Sequence, residues 1–416
     1  MAKELSFAEK IFSITNEEGD KVLYLFGLRI NINRKLLFKL KYSKKRIDDK
    51  KIVFSNFNGN SFGCNPKYIA QEILRRKLPY KLVWLLNNDI DPQESGVPKS
   101  IRTVKSVSSS AIRELATSKL WVSNVRLIKF LKGGLEKREG QKYIQTWHGS
   151  LGIKKIDGDA NPTFWQRSTW HGYEEIDSKA VDYITSNSKF ENNVYKTAFW
   201  GRGEIVETGH PRNDIFYKSE EELLSIKSKI FDKYEINKDK KVLLYVPSYR
   251  DDYSIWAYNV EYKNLVQALE EKFGGEWIIM VRFHPRVKIA ASRLLPNKDY
   301  VVNVTEYPDI QELLVSVDMA MTDYSSCIFD FMLSRKPAFI YAADMQDFDE
   351  ERGFYYPLSA TPFPVAQDNT QLRQNILEFD NETYKQKVEE FLKDKGCMED
   401  GLASQRVVDM IEKIMG

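Results

Sequence analysis

"YIQTWHGSLGIKKI", residues 143–156, begins as a buried strand, breaks at Trp147, His148 and Gly149, and continues as a lysine-bearing loop. Apolar side chains at consecutive strand positions mean that both faces are covered, the pattern of a parallel sheet lying between helices. Open sheets of that kind hold their ligands outside the carboxyl ends of the strands. His148 therefore stands where a substrate is expected, and Gly149 is expected to let the backbone turn without a side chain in the way.

The same style recurs in both directions from this stretch. Strands are expected at 51–57, 81–87, 120–125, 143–147, 181–187 and 204–209, and again at 240–248, 277–283, 300–304, 318–323 and 337–342. Helical patterns lie between them, for example at 109–119 and 188–199. A charged helical stretch at 218–234 separates the two series and reads as the hinge region, and 401–415 reads as a terminal helix. A chain of 416 residues is too long for one core. The expected fold is α/β, with two doubly wound Rossmann-like domains facing across a cleft. Their expected bounds are 49–217 and 218–416, the second carrying the terminal helix, after an extension at 1–48.

A hydrophobic content of 42% with 13% aromatic residues marks a folded globular protein and argues against disorder. No run of 18 apolar residues and no secretory signal pattern is present, so a cytosolic location is expected. Cys64, Cys327 and Cys397 are far apart, which fits a reducing compartment and excludes a cysteine-based zinc site. The net charge of +3 conceals a local concentration. Arg29 to Arg46 holds eight Lys/Arg and no acid, leaving 54 basic against 59 acidic residues elsewhere. In "RKLLFKLKYSKKR" (34–46), Leu36, Leu37, Phe38 and Leu40 alternate with lysines, as in an amphipathic segment on an anionic membrane or in a solvated arm. One basic block without a binding module does not indicate nucleic acid.

Of four histidines, His148, His210 ("TGHPR") and His284 ("RFHPR") stand at the ends of expected strands, and His171 lies in a polar loop. "PSYR" (247–250), "RFHPR" (282–286) and "TDYSS" (322–326) bring Arg250, Arg282, Thr322, Asp323, Ser325 and Ser326 to the same edge of the second half. Planar guanidinium donors, hydroxyls and a helix amino terminus are what a diphosphate needs. Ser325 and Ser326 are equally ordinary caps for the helical "CIFDFMLSR" that follows. The GKS/GKT phosphate loop, G-x-G-x-x-G after the first strand and H-E-x-x-H are all absent. Asp251 with Asp252, and Asp347 with Asp349, form acidic pairs but no metal site or cofactor is assigned; Mg²⁺ held by substrate phosphates is compatible with the chain.

Taken together, "QTWHGSLGIKKIDGD", "TGHPRND", "YVPSYRDD", "RFHP", "TDYSSCIFDFMLSRKPAFIYAADMQDF" and "ERGFYY" resemble the CDP-glycerol glycerophosphotransferase family, from about residue 50 to about residue 360. Gly152 and Ile153 replace the Pro and Leu of that pattern. The resemblance implies a glycosyltransferase-B-like arrangement. It implies transfer of glycerol phosphate, or a related alditol phosphate, from CDP-glycerol or another CDP-alditol to a hydroxyl of a lipid-linked or glycan acceptor, with release of CMP. The product would be a teichoic acid or a capsule polymer, made by a cytoplasmic protein peripheral on the inner face of the membrane. In this scheme the domain at 49–217 takes the acceptor and that at 218–416 the CDP donor, His148 is the base, and His284 with Arg250 and Arg282 stabilises the donor diphosphate. Thr322, Asp323, Ser325 and Ser326 complete the nucleotide pocket, Arg352 takes a family position near the donor, and Gly149, His210 and Arg212 lie by the cleft. A sugar transferase of the same architecture using a CMP- or UDP-sugar is the alternative.

Overall fold

Short alternating segments bounded by turn residues open the chain as an antiparallel meander, β1 (Phe12–Glu17), β2 (Asp20–Leu25) and β3 (Leu28–Ile32). Charge dominates the sequence reading of this part, and the meander goes unnoticed in it. The computed structural model describes residues 12–17, 20–26, 28–161, 172–250, 255–284, 287–296 and 298–416. His171, Asp251 and Asp252 lie outside them. Helix Arg34–Tyr42 follows the meander, capped by Asn33, whose side chain accepts from Leu36 N at 3.0 Å. It buries Phe38 and Tyr42 against the first lobe.

The first lobe is built on β4 (Asp48–Ser55), β5 (Lys81–Leu86), β6 (Arg102–Lys105), β7 (Ser118–Ser123), β8 (Lys142–Gln145), β9 (Tyr183–Ser186) and β10 (Glu204–Glu207). These seven strands pair in parallel in the order β10-β9-β8-β7-β4-β5-β6. Strand alternation splits the core into two layers. Ile52 and Phe54 face one layer with Leu82, Trp84 and Leu86, while Val53 faces the other with Val83 and Leu85. The second lobe has β11 (Lys241–Val246), β12 (Trp277–Val281), β13 (Val301–Asn303), β14 (Met319–Thr322), β15 (Ala338–Tyr341) and β16 (Val365–Ala366). They form a parallel sheet in the order β13-β12-β11-β14-β15-β16. β6 and β16, only four and two residues long, are too short to show as apolar runs in the sequence.

Helix Glu220–Lys233, read as a hinge from its charge, starts the second lobe. A Ser219–Glu222 capping box fixes its beginning, and Ile230 and Phe231 enter the second core. The connection between lobes is instead the 3₁₀ turn Pro211–Tyr217. The terminal helix Ala403–Met415 returns to the first lobe, where Val407, Val408, Ile411 and Met415 cover Ile52, Phe54, Ile69 and Ile73. The expectation that it belongs with the second lobe is thus corrected, because its apolar stripe completes the first lobe's core.

Buried ion pairs lock the lobes in register. Lys67 Nζ stands 2.6 Å from both Asp309 and Glu312 of the other lobe, and Arg212 donates to Asp330 from Nε at 2.9 Å and Nη2 at 3.1 Å. Glu399 accepts from Asn187 Nδ2 at 2.8 Å, Asn213 Nδ2 at 2.9 Å and His210 N at 3.1 Å. Burial nonetheless pushes its carboxyl up to about 7. An acid whose folded value is raised binds its proton more tightly when folded, so stability present at low pH is lost as pH rises from about 4.5 through about 7. Glu399→Gln is expected to remove that part of the decline, worth up to about 3 kcal/mol. Urea unfolding of both proteins at pH 5 and pH 8 checks this, and an equal decline in both would contradict it.

Candidate active site

Three strands of the first sheet end in Ser-Asn, at Ser55-Asn56, Ser123-Asn124 and Ser186-Asn187, all buried. A short amide at a strand end can replace ladder hydrogen bonds that the turning chain gives up. Asn124 Nδ2 donates to Asn56 Oδ1 at 2.8 Å, and Asn124 Oδ1 accepts from Phe57 N at 2.8 Å. Asn56 Nδ2 in turn donates to Ser61 Oγ at 2.9 Å.

This brace holds the carbonyl of Asn124, which accepts from His148 Nδ1 at 2.8 Å. A carbonyl only accepts, so the proton of the neutral ring sits on Nδ1 and the lone pair of Nε2 is left as the basic group. The ring lies against Trp147, with centroids 4.4 Å apart, and meets Phe57 edge-on at 5.3 Å. The turn before it is made by Trp147 in the left-handed region, φ 49°, held by Gln145 Oε1 accepting from its N–H at 3.0 Å and by Asn65 Nδ2 donating to its carbonyl at 3.1 Å. Gly149 does not supply that turn, which corrects the sequence reading. It is small where the lobes touch, since a methyl there would sit 3.5 Å from Ser326 Oγ.

After Gly149 the loop crosses to the other lobe. Leu151 and Ile153 are buried in the second core. Lys155 N donates to Gly353 O at 3.0 Å, Tyr355 N to Ile153 O at 2.7 Å, and the Tyr356 hydroxyl to Leu151 O. Ile153 supplies the branched aliphatic group this core takes, and a Cβ on Gly152 would stand 3.4 Å from Ser326 Cβ. Arg352 closes helix Met345–Arg352 directly before this pairing, and only its backbone is described.

On the second lobe, the Thr322 hydroxyl donates to Val246 O at 2.5 Å. Asp323 accepts from Ser248 N and from Arg250 Nη1, each at 2.8 Å. Arg250 also donates from Nη1 to Ser248 O at 2.7 Å and from Nε and Nη2 to Asp344, the latter at 2.8 Å. Four of its five N–H donors are thereby engaged. Arg250, Thr322 and Asp323 therefore frame the loop after β11; Arg250, expected to stabilise the donor diphosphate, spends its donors on Asp323, Asp344 and Ser248 instead. Ser326 occupies the N-cap position of helix Cys327–Phe331 without a side-chain cap bond, and its hydroxyl faces Gly149. Ser325 precedes it, half-buried.

Arg282 differs from the other enclosed arginines. Arg126, Arg212 and Arg250 each pair with carboxylates. Arg282 Nη2 reaches only Tyr307 O at 3.2 Å, its Nε is enclosed without a partner, and no ion pair joins it to an acid among the described residues. Burial lowers its pKa. A half-buried guanidinium whose charge is met only at a distance, by Asp309 and Glu306, favours an anion. His284 lies two residues on, at the end of β12, its ring 4.4 Å from that of Tyr249.

His210 and Arg212 do not line the cleft. His210 is fully buried with Nε2 donating to Glu191 at 3.0 Å, and Arg212 is held by Asp330. Asp347 and Asp349 lie in helix Met345–Arg352, and among the described residues no three metal-ligating side chains cluster. Sequence reasoning missed Asn56, Phe57 and Asn124; the repeated Ser-Asn at strand ends was the available signal.

Two doubly wound lobes, with histidines at strand ends on each, define a GT-B-like architecture. The chain belongs to the CDP-glycerol:poly(glycerophosphate) glycerophosphotransferase family, whose model matches residues 36–413. It is 30% identical over 400 residues to a teichoic acid poly(glycerol phosphate) polymerase of Staphylococcus epidermidis, covering 93% of this chain and 54% of that protein. The chain thus spans about half the length of that relative. It is 29% identical to a polymerase of the same description from Bacillus spizizenii, over 87% of this chain and 92% of the relative. The solved structure of the wall teichoic acid polymerase TagF superposes with a TM-score of 0.77 at 28% identity, covering 92% of this chain and 93% of that one.

Asn124→Ala keeps the carbonyl that His148 uses but removes its brace. Turnover is expected to fall about 10- to 100-fold, with the donor KM unchanged, as a misplaced but intact base requires. Steady-state kinetics check this; unaltered turnover would deny the brace a positioning role.

Proposed function

We propose that this chain transfers an alditol phosphate, glycerol phosphate in the first instance, from a CDP-activated donor to an acceptor hydroxyl, releasing CMP, in synthesis of a teichoic acid or capsule polymer. The observation that carries the reading is the hydrogen bond of His148. Its Nδ1 donates to Asn124 O at 2.8 Å, so in the neutral ring Nε2 carries the basicity, one residue before the seam of Gly149 with Ser326.

In the proposed step the acceptor hydroxyl gives its proton to His148 Nε2 as its oxygen attacks the phosphorus that bears the alditol. The bond from that phosphorus to the bridging oxygen breaks, and CMP leaves with the electron pair. Phosphoryl transfer asks a protein for positioning and charge stabilisation above all. Arg282 and His284 supply the positive side of that stabilisation, and the hydroxyls of Ser325 and Ser326 contribute donors from the neighbouring loop. Arg250 acts through Asp323 and Asp344, by shaping the loop that carries Tyr249 against His284. His148→Ala is expected to lower CMP release by about 10² to 10⁴ while the protein stays folded. A panel of CDP-glycerol, CDP-ribitol and nucleotide sugars, scored by nucleotide release from the unaltered protein, tests the donor; release from a CMP- or UDP-sugar alone would replace this reading with that of a sugar transferase.

The acceptor in this proposal is lipid-linked, and the protein meets it from the cytoplasmic side of an anionic membrane. Supporting this, helix Arg34–Tyr42 leaves Leu36, Leu37 and Leu40 at 54%, 50% and 72% exposure beside Lys35, Lys39 and Lys41, and the meander exposes Phe26 at 78% and Leu28 at 66%. Among the described residues no helix is long and apolar enough to cross a membrane. Reversing Lys35, Lys39 and Lys41 to Glu should weaken binding to phosphatidylserine vesicles by at least about tenfold, since each basic residue near such a surface contributes about 1 kcal/mol. Unchanged sedimentation would return the segment to a solvated arm.

A further inference from the structure

Helix Ile128–Lys132 swings Lys129 back over the carboxyl ends of the first sheet. Its Nζ donates to Asn58 O at 2.7 Å, in the turn after β4, and to Ser106 Oγ at 3.0 Å, just beyond β6. The Ser106 hydroxyl passes its own proton on to Asn87 Oδ1 at 2.9 Å. Two neutral acceptors leave the third N–H of the ammonium open. Neighbouring cations are differently placed. Lys51 and Arg126 pair with carboxylates, and Lys105 fills its three donors with the carbonyls of Asn87, Asn88 and Ile90. No acid pairs with Lys129 among the described residues, and burial alone pushes its pKa down to about 8.

The turn that Lys129 holds is unusual in a second way. Phe57, Asn58 and Gly59 all have left-handed backbone, with φ of 42°, 58° and 100°. A Cβ on Gly59 would come within 2.9 Å of Asn87 N, so only glycine fits at that point of the turn. Strain of about 1–3 kcal/mol at each non-glycine residue persists only where the surroundings impose it, and it gathers at ligand sites. Asn58 Oδ1 is enclosed with no donor. Phe57 of the same turn is the ring that meets His148 edge-on.

We propose that Lys129 forms the acceptor's anion subsite beside the strained turn of Phe57 and Asn58, its open N–H taking a phosphate oxygen. This rests on the reading of the first lobe as the acceptor lobe with His148 as base. The phosphate can belong to the end of a growing alditol phosphate chain or to the diphosphate that joins a glycan to its lipid carrier.

Acceptor-dependent CMP release from CDP-glycerol distinguishes these, using a lipid diphosphate glycan with one terminal glycerol phosphate and the same glycan without it. Lys129→Gln is expected to raise the acceptor KM at least about tenfold, the weight of one charge-assisted hydrogen bond, with the donor KM within about twofold, and Lys129→Arg is expected to restore most of the loss. A rise confined to the primed acceptor assigns the chain-end phosphate, and a rise with both assigns the diphosphate. Asn58→Asp keeps the backbone carbonyl that Lys129 uses and sets a carboxylate against the anion, so it should raise the acceptor KM even if Lys129→Gln fails to fold. Unchanged acceptor KM in these variants, or an equal rise in donor KM, overturns the subsite. Absence of acceptor-dependent release from the unaltered protein would reject the transferase reading instead.

Discussion

The site depends on two side chains of the first lobe being buried in the second. Leu151 and Ile153 leave the strand that carries His148, cross the seam and enter the second lobe's core. Their burial stabilises that crossing by roughly 1.5–3 kcal/mol each. The backbone pairing of 153–155 with 353–355 adds direction, so the approach of Gly149 to Ser326 follows from packing rather than from any contact between the polar groups themselves. Lys67 with Asp309 and Glu312, and Arg212 with Asp330, contribute register more than energy, because desolvation offsets much of a buried pair's attraction. His148 is therefore positioned against the opposite lobe before any substrate arrives.

Charge compensation separates framework from site. Arg126, Arg212 and Arg250 are enclosed and matched by carboxylates, and each fixes a loop. Arg282 in the second lobe and Lys129 in the first are half-buried and have no paired carboxylate among the described residues. A folded protein tolerates such a cation where a bound anion supplies the missing partner for part of its cycle. One unmatched cation on each lobe fits a reaction that joins a nucleoside diphosphate donor to a phosphate-bearing acceptor.

The fold was legible because continuous apolar runs such as those of β4, β5 and β11 read directly as covered parallel strands, and because His148 and His284 follow the runs that end at the cleft. The meander was not, since its alternation is short and a strong charge signal lay beside it. Arg250 and His210 were misread for one common reason. An arginine or histidine at a strand end looks the same in sequence whether it is open to a ligand or matched, and the carboxylates that match these two side chains, Asp344 and Glu191, lie 94 and 19 residues away along the chain. Asn124 was invisible as a brace for a related reason, because its partners Asn56 and His148 meet it only when three strands align.

A crystal structure of the full chain with CDP-glycerol and the His148→Ala substitution would test the central claim most directly. The account predicts the diphosphate in the seam between the lobes, with a phosphate oxygen within hydrogen-bond distance of Arg282 and the alditol-bearing phosphorus facing the space vacated by the imidazole. A diphosphate bound elsewhere, with Arg282 still unmatched, would contradict it.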